Sequence, residues 1–370
     1  MTAQPLNAGK TPSFRTVLCA SILLFLICAA FVKLVSPYPF EQNYSLISAA
    51  IRHWDFRAVP SDQPREFWGV SYVSALVAAL TGLRDATALI AVSFFAYLTA
   101  LFLSHRLWGA TLTAWFLVVN WWWLESTVDG GSEPLFMALL LGAFLTVRSE
   151  RWLLAAALAS GATVVRPVGI FALIAIGIVL LARRDFKRLA IATAIGVGTG
   201  VVYVFPMVLI YGSPLAGVQA YQAQDWAGSS PITFPFVAIF KGALSTSGSV
   251  RLPLRILLGI WVLVVVAGLI RMATDRKFRK YSRDHEVEGI FLLLYAAFLL
   301  CYNADVWAWQ HFPRFAIPLL PFLLLAFRDR LPASPPLLCG IALVSVICVI
   351  LPKAGIHRVS EVVHSLVTTK

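Results

Sequence analysis

Long apolar runs separated by short charged turns recur from residue 16 almost to the C-terminus. The first, 16–36, is long enough to cross a hydrocarbon core of about 30 Å, and Lys10 and Arg15 flank its amino end. A cleaved signal peptide would show a small-x-small site followed by a polar mature domain. Neither follows this run, so it reads as a retained first helix. Further apolar runs lie near 67–82, 85–104, 109–124, 134–147, 152–165, 167–182, 189–211, 252–270, 289–302, 313–327 and 335–351. The pattern predicts an all-α polytopic membrane protein, a single integral membrane domain over residues 1–370. It shows no internal repeat and no low-complexity tract.

The run 67–82 decides the topology. If it does not cross, the clusters His105-Arg106, Arg148–Arg151, Arg183–Arg188, Arg271–Arg283 and Arg328–Arg330 share the cytoplasmic face with Lys10 and Arg15. That face then holds 17 of the 30 Lys and Arg residues, packed into short turns. If 67–82 crosses, all five clusters move outward, against the positive-inside rule. Residues 37–84 are therefore expected to form one long outer loop, with an amphipathic piece at about 41–53 and the apolar piece 67–82 lying in the interface. Residues 85–351 supply the remaining helices, about eleven spans in all with the first, and 352–370 form an outer tail.

Composition sharpens the class. With 59% hydrophobic and only 13% charged residues, and a mean hydropathy of +0.80, a soluble globular domain is excluded. The abundance of aliphatic and aromatic residues excludes disorder. A net charge of +12 would suggest nucleic acid in a soluble domain, but here it reports orientation, and no nucleic-acid partner is expected. Cys19, Cys28, Cys301, Cys339 and Cys348 all fall within apolar segments, odd in number and without metal-ligand spacing, so buried free thiols are expected.

The informative charges are those at the ends of apolar helices on the outer side. The first outer loop carries Glu41, Asp55, Asp62 and Glu66. The second carries Glu125, Asp129 and Glu133, with Gly130-Gly131 as a turn before Pro134 starts the next helix. Arg166 stands between two apolar runs in V-V-R-P-V-G, and His311 and Arg314 open another helix. Lys241 and Asp225 lie in the largest outer loop. Acids from two loops and cations from two helix ends thus meet at one boundary. Such cations suit an anionic headgroup such as a sugar phosphate on a prenyl chain, and the carboxylates suit removal of a proton from an attacking hydroxyl. Trp54, Trp68, Trp121–Trp123, Trp226, Trp307 and Trp309 are placed to stack on sugar rings or to form the interfacial belt common to membrane proteins.

Each charge also has a plain structural use. Glu41 suits the first turn of an interfacial helix, Asp129 and Glu133 a solvated turn and helix start, and Arg166 and Arg314 a snorkelling role. The cytoplasmic clusters read as topology determinants and lipid-headgroup contacts. The sequence holds no phosphate-cradling G-x-x-x-x-G-K-[ST], no G-x-S-x-G and no paired metal-ligand motif. No cofactor is expected, and nothing indicates a divalent cation. Acids are missing from the middles of the helices, which weighs against an ion-coupled transporter.

The layout of residues 16–330 resembles the polyprenyl-phosphate-sugar-dependent membrane glycosyltransferases of the GT-C fold, in particular bacterial mannosyltransferase-like members. P-F-E-Q-N-Y-S-L-I-S-A-A-I resembles the family's first-loop acidic motif, with Glu41 at the catalytic-acid position and Gln42 where a second acid often stands. F-W-G-V-S-Y-V-S-A-L-V-A-A-L-T-G resembles the second interfacial helix, S-H-R-L-W-G the cytoplasmic turn, and D-G-G-S-E-P-L-F the second-loop acidic motif. S-E-R-W-L-L-A-A-A-L-A-S-G-A-T-V-V-R-P-V-G resembles the R-x-x-W-x-x-A…T-x-x-R-P-x-G pattern, and P-R-F-A-I-P-L-L-P a late R-[YF]-x-x-P-x-x-P element.

The resemblance implies an inverting transferase on the outer face of a plasma (inner) membrane. Its donor would be a polyprenyl-phosphate monosaccharide, and a lipid-linked glycan or other envelope glycan its acceptor. It implies Glu41 as general base or orienter of the acceptor hydroxyl, assisted by Asp129 or Glu133. Arg166 and Arg314, with Lys241 and His311, would hold the lipid phosphate. Two alternatives remain: a transporter or flippase of a lipid-linked sugar, which shares the same headgroup pocket, and a non-catalytic membrane partner protein.

Overall fold

A computed structural model describes residues 12–35, 42–56, 59, 66–224, 230–245, 252–303 and 309–350. From the amino end run α1 (Phe14–Val35), α2 (Gln42–His53), α3 (Trp68–Thr81), α4 (Asp85–Trp108), α5 (Ala110–Val118), α6 (Trp121–Asp129), α7 (Glu133–Arg148), α8 (Trp152–Val165) and α9 (Ile170–Ala182). They are followed by α10 (Phe186–Tyr211), α11 (Ala216–Gln224), α12 (Val237–Ser245), α13 (Leu252–Thr274), α14 (Arg276–Asp284), α15 (Glu286–Cys301), α16 (Phe312–Phe315), α17 (Leu320–Ala326) and α18 (Pro335–Ile350). Among the described residues all regular structure is helical, with an isolated bridge between Ile232 and Tyr302.

The chain is an all-α, multi-pass membrane protein. Four helices (α1, α4, α10 and α13) are long and apolar enough to cross a bilayer, and the bent pair α6–α7 makes a fifth if counted as one span. The expected count of about eleven therefore rests also on shorter apolar helices, α8, α9 and α18 among them. Helix α10 is apolar around most of its circumference and exposes Val197, Val201, Phe205, Val208 and Leu209, as lipid contact requires.

Close packing at the centre comes from small residues. Helix α8 buries Ala155, Ala156, Ala159 and Ala162 completely, so that α7 and α10 approach its backbone. Helix α4 packs on the far side of α7, and Phe136, Met137 and Phe144 fill the space between the neighbouring helices.

The amphipathic stretch at 41–53 forms α2, and the apolar run 67–82 forms α3, which packs on α2, α4 and α8. Helix α3 has 14 residues, about 21 Å at 1.5 Å per residue and shorter than the hydrocarbon core. A Cβ on Gly69 would lie 2.5 Å from the Val165 Cα, so the start of α3 sits directly on the carboxyl end of α8. Arg52 donates to Asp85 Oδ2 at 2.6 Å and Ser48 to Asp85 Oδ1 at 2.9 Å, tying α2 to the start of α4.

The apolar run 109–124 divides where Asn120 caps α6 by accepting the Trp122 amide at 3.0 Å. The α6–α7 pair then bends by 112°. At the other end of α7, Arg148 donates to both Glu288 oxygens at 2.7 and 2.9 Å and to the Tyr281 hydroxyl at 2.7 Å. Trp108 Nε1 also donates to Tyr281, at 2.8 Å. All five cysteines are free, as expected, but Cys19 and Cys339 are exposed because they lie on outward faces of α1 and α18.

Candidate functional site

Glu133 opens α7 with a side chain only 3% exposed, and a buried carboxylate is tolerated only when partnered. Its Oε1 accepts from Arg166 Nη1 and from Arg314 Nε, and its Oε2 accepts from the Ser126 hydroxyl. Arg166 Nη1 donates as well to Ser132 Oγ at 3.2 Å. Positions 33 and 181 residues apart in sequence thus share one carboxylate.

The local sequence explains how each side chain reaches the centre. Pro167 disfavours helical backbone at the preceding residue, so α8 stops and Arg166 turns extended (φ −150°, ψ 127°) toward Glu133. Arg314 sits in the short α16, whose backbone is held from two sides. Asn120 Nδ2 donates to the Pro313 carbonyl and the Tyr295 hydroxyl to the Phe315 carbonyl, both at 2.8 Å. The Trp122 ring lies 5.9 Å from the Arg314 guanidinium carbon, and its centroid is 5.1 Å from that of His311.

Two glycines make the turn between α6 and α7. Gly130 takes φ 77°, the left-handed conformation that ends α6. At Gly131 a Cβ would stand 2.2 Å from Ser126 Oγ and 2.8 Å from Glu133 Oε2. Gly131→Ala is therefore expected to push Glu133 off its partners at about 1–3 kcal/mol of stability, read as a lower thermal midpoint in detergent. An unchanged midpoint would show that the turn is not confining the carboxylate.

Burial, with the Arg314 charge beside it, lowers the His311 imidazole to about 4, so it is neutral at ordinary pH. Among the described residues, the hydrogen bonds of the cluster set one carboxylate against two guanidiniums. A small cavity lined by Glu133, Arg166, Tyr295, Arg314 and Pro318 opens onto it.

Of the expected site residues, Glu133, Arg166, Arg314 and His311 come together here. Asp129 ends α6, half-buried, four residues before Glu133. Lys241 lies exposed on α12, with no hydrogen bond or ion pair to the cluster among the described residues. Glu41 lies outside the described residues, as do Asp62, Asp225, Trp226 and Trp307. Of the tryptophans, Trp68, Trp121, Trp123 and Trp309 are core side chains, and Trp122 faces the cluster. The sequence did not single out Ser126, Ser132, Asn120 or Tyr295 as site residues, since each is an ordinary polar position within or beside an apolar run. Among the described residues no group of three or more His, Cys, Asp or Glu is arranged to hold a metal ion.

The fold and the buried cluster define a multi-pass helical membrane protein with two guanidiniums gathered on one buried carboxylate at one end of its bundle. The chain superimposes on the crystal structure of ArnT from Cupriavidus metallidurans bound to undecaprenyl phosphate with a TM-score of 0.53 and 15% identity. The match covers 90% of this chain and 62% of that one, so the chain spans less than two thirds of its neighbour's length. The apo crystal structure of the same protein aligns at a TM-score of 0.49 and 13% identity, over 88% of this chain and 60% of that one. No family model and no curated protein matches the sequence.

Proposed function

We propose that the chain is a glycosyltransferase that moves a monosaccharide from a polyprenyl-phosphate donor to a lipid-linked glycan or other acceptor. The proposed site faces outward from the plasma (inner) membrane, with the N-terminus cytoplasmic. The observation that carries this reading is the convergence of Arg166 and Arg314 on one buried carboxylate. It occurs in a fold shared with ArnT, whose crystal structure is bound to undecaprenyl phosphate.

The charge suits the reaction. A sugar joined to a lipid through one phosphate carries a single negative charge, which a pair of guanidiniums is suited to meet. As the acceptor oxygen bonds to the anomeric carbon, the bond from that carbon to the phosphate oxygen breaks and negative charge grows on the leaving phosphate. Preorganised guanidiniums stabilise that growth without reorganisation. Glu133 orients both arginines, and neutral His311 offers a further polar contact beside Arg314. Glu41 takes the proton of the attacking hydroxyl with Asp129 assisting, and Lys241 supplies an outer cation to the headgroup.

Reconstitution in liposomes with a polyprenyl-phosphate sugar labelled in its sugar tests the proposal. The expected result is label leaving the prenyl lipid and appearing on an added membrane glycan fraction. Label that crosses between leaflets on the intact lipid would replace this reading with a flippase. Label that neither leaves nor crosses would leave a partner protein.

A further inference from the structure

Helix α14 lies between the end of the apolar helix α13 and the start of α15, so it sits where the chain re-enters the bilayer. Tyr281 joins it to Arg148, the last residue of α7, so α14 stands at the end of α7 opposite Glu133. Its inner side is anchored: Phe278 is buried and Tyr281 and Ser282 are half-buried. Its outer side carries Arg276, Arg279, Lys280 and Arg283, all exposed. These positions are spaced i, i+3, i+4 and i+7, which places them on one face.

Cations three and four residues apart on one helix repel one another and weaken it. Every such pair in this stripe is of like sign. The nearby acids do not answer it: Asp275 caps the helix and faces Arg271 at 3.8 Å, and Asp329 pairs with Lys277 at 2.5 Å. Glu288 is held by Arg148 and Tyr281, and Glu286 by Arg183 at 3.1 Å. Asp284, exposed at the end of the helix, forms no ion pair with the stripe among the described residues.

We propose that this face of α14 is a docking surface for anionic phospholipid headgroups of the adjacent leaflet, which it gathers as a bound annulus. An amphipathic helix at the bilayer boundary with its cations turned outward has the form that reads acidic lipid. The stripe meets headgroup phosphates, Phe278 fixes the helix to the bundle, and the Tyr281 bonds to Arg148 and Trp108 set its height. The proposal is independent of the transferase reading, because it concerns the opposite end of the molecule and is tested without activity.

The test uses the full chain in phosphatidylcholine vesicles with and without phosphatidylglycerol. Wild type should show a higher unfolding midpoint with phosphatidylglycerol and retain that lipid through extraction, as counted by native mass spectrometry. R276Q/R279Q/K280Q/R283Q should lose both effects, with retention falling on the order of fivefold per cation removed at low salt. The lysine-for-arginine variant R276K/R279K/R283K should keep both. If the fourfold variant fails to insert, R276Q/K280Q and R279Q/R283Q each carry the test and should each lose a substantial part of the retention. Equal lipid retention and equal stabilisation in wild type and the glutamine variants would overturn the proposal.

Discussion

Glu133→Ala is expected to destabilise the protein by about 3–5 kcal/mol, the largest effect of any single replacement at the site. The change removes the shared partner of Arg166 and Arg314 and leaves two guanidiniums facing each other with side chains only 12% and 21% exposed. Glu133→Gln should lose much of the same stability, because it keeps shape and removes charge. Pairing the change with Arg166→Met should recover part of the loss, since one buried cation is removed together with the anion. Denaturant unfolding in micelles of wild type, Glu133→Ala, Arg166→Met and the double variant gives the coupling directly. A Glu133→Gln protein as stable as wild type would mean that the carboxylate is not what holds the two arginines.

Arg314→Ala should lower sugar transfer on the order of a hundredfold to a thousandfold, the usual consequence of removing one preorganised group from a site of developing charge. Arg314→Lys should recover only part of it. Lysine keeps the charge but cannot present a planar fork to a carboxylate and a phosphate together. The stability effect should be smaller than that of Glu133→Ala, because Arg166 still satisfies the carboxylate. Transfer rates with the wild-type donor, measured beside unfolding midpoints, separate lost chemistry from lost folding. Arg314→Ala and Arg166→Ala proteins that both transfer sugar at nearly wild-type rate would remove the cluster from the donor site.

Much of this was legible before any coordinates. Apolar run length gives helices in a bilayer, because backbone groups in hydrocarbon must be paired within the segment. Pro167 after Arg166 marks a helix end, and Gly-Gly before Glu133-Pro134 marks the turn between α6 and α7. Arg166, Arg314 and Glu133 stood out because ionised groups beside apolar runs are costly and therefore selective in placement. The break at Asn120 was not legible. It lies inside a run that reads as uniformly apolar, and it forms because one amide side chain caps a backbone group locally while holding the Pro313 carbonyl.

The stripe on α14 shows the same boundary from the other side. Its cations were plain in sequence as a cluster that orients the chain, while their gathering on one face of a helix was not. That they face outward with no acid paired to them among the described residues, while Phe278 and Tyr281 turn inward, is settled by the packing of α13 and α15 around it.

The sequence by itself determined the class of the molecule, a polytopic helical membrane protein, and which charges were too costly to be incidental. Both are local properties, set by hydropathy, by charge and by backbone limits at Pro and Gly. Only the tertiary structure decided that Glu133 is shared by Arg166 and Arg314, and that Ser126 and Gly131 confine it. Those relations join helix ends far apart in the chain. They are fixed by how α4, α6, α7, α8 and α15 pack in three dimensions, which no short-range pattern encodes.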